Sequence, residues 1–140
     1  MDSISLKMPV TIKAKLTEKL KNKLMSDMDE GIKQAELEIQ QINIEEQRML
    51  KENDSQTPTP QDIQRLGAIR EHYAEERNKR MQYTQETKSR KENLEKLALG
   101  AEIVQGTLER QVDVHVGDDM RELMNVEILV EDDKIVAIRG

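Results

Sequence analysis

A seven-residue apolar repeat occurs twice in this chain, and it constrains the fold more than any other feature. Apolar residues recur at steps of three and four from about Met25 to Met49, and again from about Leu66 to Leu97. The segment between them, residues 53–60, contains two of the chain's three prolines, and proline stops a helix. This pattern predicts two long helices that fold back on each other as an antiparallel coiled-coil hairpin.

Outside the repeats, the pattern changes to strict alternation, which is typical of half-buried strands. The alternating apolar residues are Val10, Ile12, Ala14 and Leu16 near the beginning, and Val112, Val114 and Val116 near the end. A terminal β-hairpin is predicted from residues 126–130 and 134–138, joined by a tight turn at Asp132 and Asp133. The predicted fold class is therefore α+β, with the hairpin projecting from a small antiparallel sheet or barrel formed by both termini.

The predicted boundaries follow from the local signals at the helix ends. Residues 1–16 and 100–140 form the β module, and residues 17–99 form the hairpin arm with its turn at 53–60. Thr17 is the expected N-cap of the first helix, and Thr59 that of the second, since a threonine hydroxyl can accept a hydrogen bond from an unpaired N–H. Gly100 suits the left-handed position just past the last helical turn.

Charge supports pairing of the two helices. Residues 17–53 hold 6 basic and 9 acidic groups, whereas residues 60–99 hold 9 basic and 7 acidic groups. If Met49 lies opposite Leu66, the numbers of facing residues add up to about 115. This register places Glu38 near Arg77 and Ala35 opposite Arg80.

Composition narrows the class of protein. Aromatic residues make up 1% of the chain and charged residues 36%, which disfavours a large globular core. Cysteine is absent, which excludes disulfides and thiolate-bound metals. The beginning of the chain lacks the apolar segment of a secretion signal, and no run approaches the ~18 apolar residues that a membrane span needs. We therefore expect a cytoplasmic protein without membrane contact.

Few residues suggest a catalytic or metal-binding site. The two histidines, His72 and His115, are far apart in the sequence, and no nucleophile motif or phosphate-binding glycine loop is present. The acids at 118–119 and 132–133 fit turns and a helix cap better than a calcium loop, because EF-hand spacing is missing. We expect no enzymatic activity, no cofactor and no metal ion.

Protein contact is the preferred hypothesis for function. Leu37 and Ile44 lie one heptad apart on the outer face of the first helix, where they are either scattered surface residues or a second contact line. The terminal hairpin is apolar on both sides. We expect a structural or adaptor protein whose arm and β module bind other proteins or further copies of the chain. The candidate contact residues are Leu37, Ile44, Met49, Leu50, Ile63 and Leu129.

The alternative is an RNA- or ribosome-associated factor that uses the basic face of the second helix. The candidate phosphate contacts are Arg77, Lys79, Arg80, Lys88, Arg90 and Lys91. No aromatic residues interleave them for base stacking, and the net charge of the chain is −6. Protein contact is therefore favoured over RNA contact.

Several segments together resemble the YlqD family of bacterial proteins. They are the strand at Pro9–Lys13, the helix exit at Leu99 and Gly100, the Val-Gly-Asp-Asp segment at 116–119 and the hairpin at 128–138. The resemblance implies the architecture described above. The family has no established activity, so the resemblance implies no catalytic residues.

Overall fold

The computed structural model describes residues 1–140 and has an α+β fold, as predicted. The chain divides into two compact units, one formed by residues 1–23 and 97–140 and the other by residues 24–96. The elements are, in chain order, β1 Ser3–Lys15, α1 Glu18–Glu52, α2 Pro60–Lys96, β2 Glu102–His115, α3 Met120–Met124, β3 Glu127–Glu131 and β4 Lys134–Arg139.

Both ends of the chain meet in one four-stranded sheet, with the strands in the order β2-β1-β3-β4. β1 and β2 pair antiparallel along their whole length, from Ser3 opposite His115 to Lys15 opposite Glu102. The prediction that the two termini share a β module is confirmed. β1 and β2 are longer than the alternating apolar residues indicated, since the ladder continues through polar positions.

The sheet differs from the prediction in two respects. It is mixed, because β3 runs parallel to β1, with Thr11 opposite Glu127 and Ala14 opposite Val130. It is also open, with β2 and β4 at its edges, so the predicted barrel is wrong. The connection after β2 passes α3 and skips over β1, and this crossover makes β3 parallel to β1. Nothing in the strand sequences themselves specifies such a crossover.

The terminal hairpin and its turn agree with the prediction. β3 and β4 pair antiparallel, and the two turn residues Asp132 and Asp133 both have positive φ angles, of 47° and 70°. Two-residue turns of this kind match the twist of the strands they join. The pairing register shifts once along each edge strand, beside Gly106 in β2 and at Val136 in β4.

Three buried residues of this unit lie on one face of the sheet. Met8, Val10 and Ala14 alternate along β1 and are each at most 5% exposed. The short helix α3 packs against β1, and its Leu123 carbonyl accepts a hydrogen bond from Arg110 of β2. Leu16, which follows β1, is 1% exposed.

The predicted helix starts are confirmed. The Thr17 hydroxyl accepts a hydrogen bond from the backbone N–H of Leu20, at 3.1 Å. Thr59 and Asp62 form a capping box, in which each side chain accepts a hydrogen bond from the other residue's backbone N–H. Gly100 has the predicted left-handed conformation, with a φ of 91°, but α2 ends earlier than predicted, at Lys96, so the glycine lies in the turn that follows the helix.

In the second unit, α1 and α2 pair antiparallel and bury a mixed set of side chains. The buried residues are Ile32, Ala35 and Ile42 on α1, and Tyr73, Thr84, Thr87 and Leu94 on α2. Tyr83, which precedes the buried Thr84, is 43% exposed.

One predicted pairing in the hairpin is corrected. Glu38 pairs with Arg80 and not with Arg77, which bonds instead to Glu46 at 2.7 Å. Ala35 and Arg80 line one groove, in agreement with the prediction that they face each other. The middle of α2 is polar, so apolar packing does not determine how α2 aligns with α1. The alignment depends instead on long basic side chains of α2 that reach carboxylates on α1.

Candidate interaction surfaces

The outer line of α1 is open to solvent. Leu37 is 48% exposed and Ile44 is 70% exposed, on the side of the helix opposite to the buried Ile32 and Ala35. A helix that pairs along one stripe has no structural need for a second apolar stripe on its back. These two side chains thus form an apolar pair, one heptad apart, on the solvent-facing side of α1.

The turn of the hairpin combines covered and exposed apolar residues. Met49 and Leu50 are half-buried, whereas Ile63 in the first turn of α2 is 61% exposed. The side-chain amide of Asn53 donates to the Met49 carbonyl, at 2.8 Å, and so satisfies a carbonyl at the end of α1. Of the predicted contact residues at the turn, Ile63 is the most accessible.

Most of the predicted phosphate-binding residues already have carboxylate partners. Arg77 bonds to both Glu46 and Asn43, and Lys91 bonds to Asp29 at 2.7 Å. The other ion pairs of these residues are Arg80 with Glu38 and Glu76, Lys79 with Glu76, and Arg90 with Glu86. Only Lys88 among the six has no ion pair. Some of these basic residues therefore bond to carboxylates of α1, and only part of the stretch is left to contact a phosphate backbone.

The electrostatic consequences of these pairs are consistent with their geometry. Hydrogen bonds to Glu76 and Glu38 raise the pKa of the Arg80 guanidinium above its ordinary value. The hydrogen bond to Asp29 likewise raises the pKa of the Lys91 amine. Both groups remain cationic at neutral pH, and their charge is directed at α1.

A groove on the hairpin was missed by the sequence reasoning. It has a volume of about 350 Å³ and is lined by Gly31, Gln34, Ala35, Glu38, Lys79, Arg80 and Tyr83. A Cβ atom added at Gly31 would collide with the Tyr83 hydroxyl, so the glycine makes room for that ring. The signal that could have indicated it is the pair of small residues, Gly31 and Ala35, one turn apart on α1.

In the β module, one predicted contact residue is corrected. Leu129 is 5% exposed, so it belongs to the core and is not available to a partner. It lies on the central strand β3, beside Lys13 of β1 and Ala137 of β4. Apolar residues that do reach the surface include Ile135, Val136 and Ile138 on β4 and Val104 and Leu108 on β2.

Comparison with known proteins agrees with this architecture. The sequence profile of the YlqD protein family matches residues 4–139. The chain belongs to the YlqD family. A crystal structure of a protein of unknown function from Synechococcus sp. WH 8102 is similar to the chain, with a TM-score of 0.85 and 24% sequence identity. That similarity covers 99% of this chain and 95% of the other, and it shows a shared fold. Comparison with curated proteins gives no match.

The acidic residues of this YlqD family member have local structural partners. The Asp118 carboxylate accepts a hydrogen bond from the His115 N–H, and Asp119 is the N-cap of α3. Asp132 accepts a hydrogen bond from the Thr17 hydroxyl, at 2.7 Å. No group of three or more carboxylate and histidine side chains is arranged to hold a metal ion.

No helix of this YlqD family member carries an apolar stretch of sufficient length to cross a bilayer.

Proposed function

We propose that this protein is a non-enzymatic structural or adaptor protein that acts through protein–protein contacts of its helical hairpin and its β module. The observation that carries the proposal is the exposed pair Leu37 and Ile44 on the back of α1. The helix already has a buried stripe, so this second apolar line is free for a further helix or apolar segment.

The apolar surface of Leu37 and Ile44 fits a protein partner that binds with moderate affinity. Complete burial of one leucine or isoleucine side chain contributes roughly 1.5–3 kcal/mol. Leu37 is 48% exposed and Ile44 is 70% exposed, so much of that free energy is available to a partner. A line one heptad long matches the spacing of anchors on an amphipathic helix.

RNA binding is the second candidate, and its support is the exposed end of the basic stretch. Lys88 has no ion pair, and Arg90 has only a 3.9 Å contact with Glu86 on its own helix. The other basic residues contact carboxylates closely, which reduces the positive potential that a phosphate backbone would meet. The ion pairing therefore favours the protein-contact function.

Affinity capture from a bacterial lysate tests the proposal. The bait is the full chain, compared with a Leu37→Glu, Ile44→Glu double variant. The matched control is Gln40→Glu with Gln47→Glu, which adds the same charge at two exposed positions of α1, also one heptad apart. We expect specific proteins to be retained by the wild type and the control but lost from the double variant.

Two results would contradict the proposal. One is equal retention of the same proteins by all three baits. The other is retained material that is removed by ribonuclease and by Lys88→Glu with Arg90→Glu, since this would favour the RNA function.

A further inference from the structure

Arg110 of β2 is a half-buried cation without a carboxylate partner. Its Nε is buried and has no hydrogen-bond partner, and its Nη2 makes one long hydrogen bond, of 3.4 Å, to the Leu123 carbonyl. A guanidinium carries five N–H groups and is always charged. The other arginine on the sheet, Arg139, bonds to both Glu102 and Glu127. Arg110 is therefore the arginine of the sheet whose charge no carboxylate balances.

The position of this guanidinium makes the missing partner costly. Removing a charge from water opposes folding unless an opposite charge or several hydrogen bonds compensate for the lost hydration. The residue opposite Arg110 on β1 is Met8, which is apolar and 5% exposed, so it offers no compensation. An anion from outside the chain would supply the missing charge.

A cavity beside Arg110 has room for such an anion. Its volume is about 370 Å³, and it lies between α3 and residues 138–140. This volume is near the lower end of the range for small-molecule sites. The side chains that line the cavity include Arg110, Glu122, Leu123, Val126, Ile138 and Arg139.

The cavity also has an apolar part, to which Ile138 contributes. Ile138 is 72% exposed, and it pairs with Ile128, which in turn pairs with Ile12 of β1. Ile12 is on the same face of β1 as Met8, the partner of Arg110. Ile138 and Arg110 therefore share one face of the sheet. An apolar group bound beside the guanidinium would cover the exposed isoleucine.

The charges around the cavity favour an anion with a single negative charge. Arg139 is already neutralised by its two glutamates, and Glu122 adds a negative charge to the lining. A phosphate ester, with nearly two negative charges, would find one available cation and a nearby acid. A carboxylate carries one charge, and its two oxygens match the planar donors of a guanidinium.

We propose that this cavity binds a small aliphatic carboxylate, with the carboxylate group on the Arg110 guanidinium and the alkyl chain against Leu123, Val126 and Ile138. The bound carboxylate balances the charge of Arg110, and the alkyl chain is removed from water. The site is separate from the protein-contact function proposed above, because its ligand is a small molecule and none of its residues belongs to the helical hairpin.

An NMR titration of the ¹⁵N-labelled full chain with hexanoate tests the proposal. The signals followed are those of the Arg110 Nε–H group and of the Leu123 and Val126 backbone amides. We expect saturable shifts with a Kd of about 1 mM or tighter. Acetate lacks most of the alkyl chain and hexanamide lacks the charge, so each is expected to bind at least about tenfold more weakly.

Substitutions at the charged residues test the role of the guanidinium. Arg110→Gln should weaken hexanoate binding at least about tenfold, because it removes the charged donor. Arg121→Gln is the matched control, since it removes the same charge from an exposed residue outside the lining, and it should leave the affinity unchanged. Glu122→Gln should bind hexanoate at least as tightly as the wild type, because a like charge is removed.

A second pair of variants covers the case in which Arg110→Gln fails to fold, as judged by circular dichroism. Ile138→Asp places a carboxylate in the lining and should weaken hexanoate binding at least about tenfold. Ile135→Asp places the same charge on β4 at an isoleucine that is 62% exposed and does not line the cavity. This control is expected to keep the wild-type affinity.

Four results would overturn the proposal. They are the absence of saturable shifts with hexanoate, equal affinity for hexanoate and hexanamide, equal affinity of Arg110→Gln and Arg121→Gln, and equal loss of affinity in Ile138→Asp and Ile135→Asp. Weaker binding by Glu122→Gln would also contradict it, since the acid would then assist the ligand. None of these results affects the partner capture by α1, so the two proposals are tested separately.

Discussion

Arg80 of α2 reaches across the hairpin and donates from its Nε to the Glu38 carboxylate of α1, at 3.2 Å. Its Nη1 also donates to Glu76 of its own helix, so the guanidinium joins the two helices through a network of three side chains. These bonds lower the pKa of Glu76 and raise that of Arg80. The small side chain of the nearby Ala35 leaves room for the long arginine, as the shared lining of the groove shows.

The ion pair between Asp29 and Lys91 gives a test of the helix register. We expect Asp29→Lys and Lys91→Asp to lower the melting temperature individually, because each places two like charges across the hairpin at the observed pairing. The double variant restores the pair in reverse and should recover most of the loss. As a control, Asp29→Lys combined with Lys88→Asp should show no recovery, since Lys88 has no ion pair. Recovery in the control would contradict the observed register.

Gly31 is expected to respond to alanine substitution through Tyr83. Alanine is favoured over glycine inside a helix by about 1 kcal/mol, but the new Cβ would collide with the Tyr83 hydroxyl. We therefore expect Gly31→Ala alone to change the free energy of unfolding little. With Tyr83→Phe also present, the collision is removed and a gain of about 1 kcal/mol should appear in urea denaturation.

Gly67 of α2 provides the control for that measurement. Nothing lies within 4 Å of a Cβ atom built at this position, so Gly67→Ala should stabilise the protein by about 1 kcal/mol without a second substitution. Equal gains for Gly31→Ala and Gly67→Ala as single variants would show that Tyr83 does not restrict position 31.

Substitution by valine should change the free energy of unfolding differently at the two buried threonines of α2. Thr87 is 3% exposed and its hydroxyl has no hydrogen-bond partner, whereas the Thr84 hydroxyl donates to the Arg80 carbonyl at 2.9 Å. Thr87→Val removes an unsatisfied polar group and should raise the free energy of unfolding by about 1 kcal/mol. Thr84→Val removes a satisfied one and should not raise it. A stabilising Thr84→Val would refute this assignment of the two hydroxyls.

The acid sensitivity of the β module is expected to depend on Arg139. Its hydrogen bond lowers the pKa of Glu102, and hydrogen bonds from Lys13 and Arg139 lower that of Glu127. The folded-state pKa of each carboxyl is thus below its usual value of 4.5. The stabilisation is present above that value and is lost as the pH falls through the lowered pKa values.

Arg139→Gln should therefore make the fall in unfolding free energy between about pH 5 and about pH 3 shallower than in the wild type. Urea denaturation at a series of pH values measures this slope. Arg121→Gln is the control, because Arg121 forms no ion pair, and it should leave the slope unchanged. An unaltered slope in Arg139→Gln would show that the two glutamates keep their lowered pKa values without it.

Much of the local structure could be predicted from the sequence, because the signals involve residues close together in the chain. The Thr59 cap, the left-handed Gly100 and the turn at 132–133 each depend on hydrogen bonds or φ angles within a few residues. The apolar repeats likewise predicted the two helices and their direction. The exposure of Leu37 and Ile44 could be predicted for the same reason, since both lie off the buried stripe.

The longer-range features depended on contacts between distant segments. The parallel pairing of β1 with β3 follows from where the connection through α3 crosses the sheet, and neither strand's sequence encodes that crossing. Leu129 is buried whereas Ile128 and Val130 on the same strand are half-buried, so apolar character alone could not distinguish a core residue from a contact residue. The predicted contact role of the other apolar residues remains a prediction.

The sequence by itself determined which segments are helical, which are extended and where the two long helices begin, because these depend on backbone hydrogen bonds and steric preferences within a few residues. Only the tertiary structure decided the strand order, the hairpin register and the partners of the basic residues on α2. The polar middle of α2 offers several alignments of similar apolar burial, and the choice among them is made by hydrogen bonds from Arg77, Arg80 and Lys91 to carboxylates more than thirty residues away.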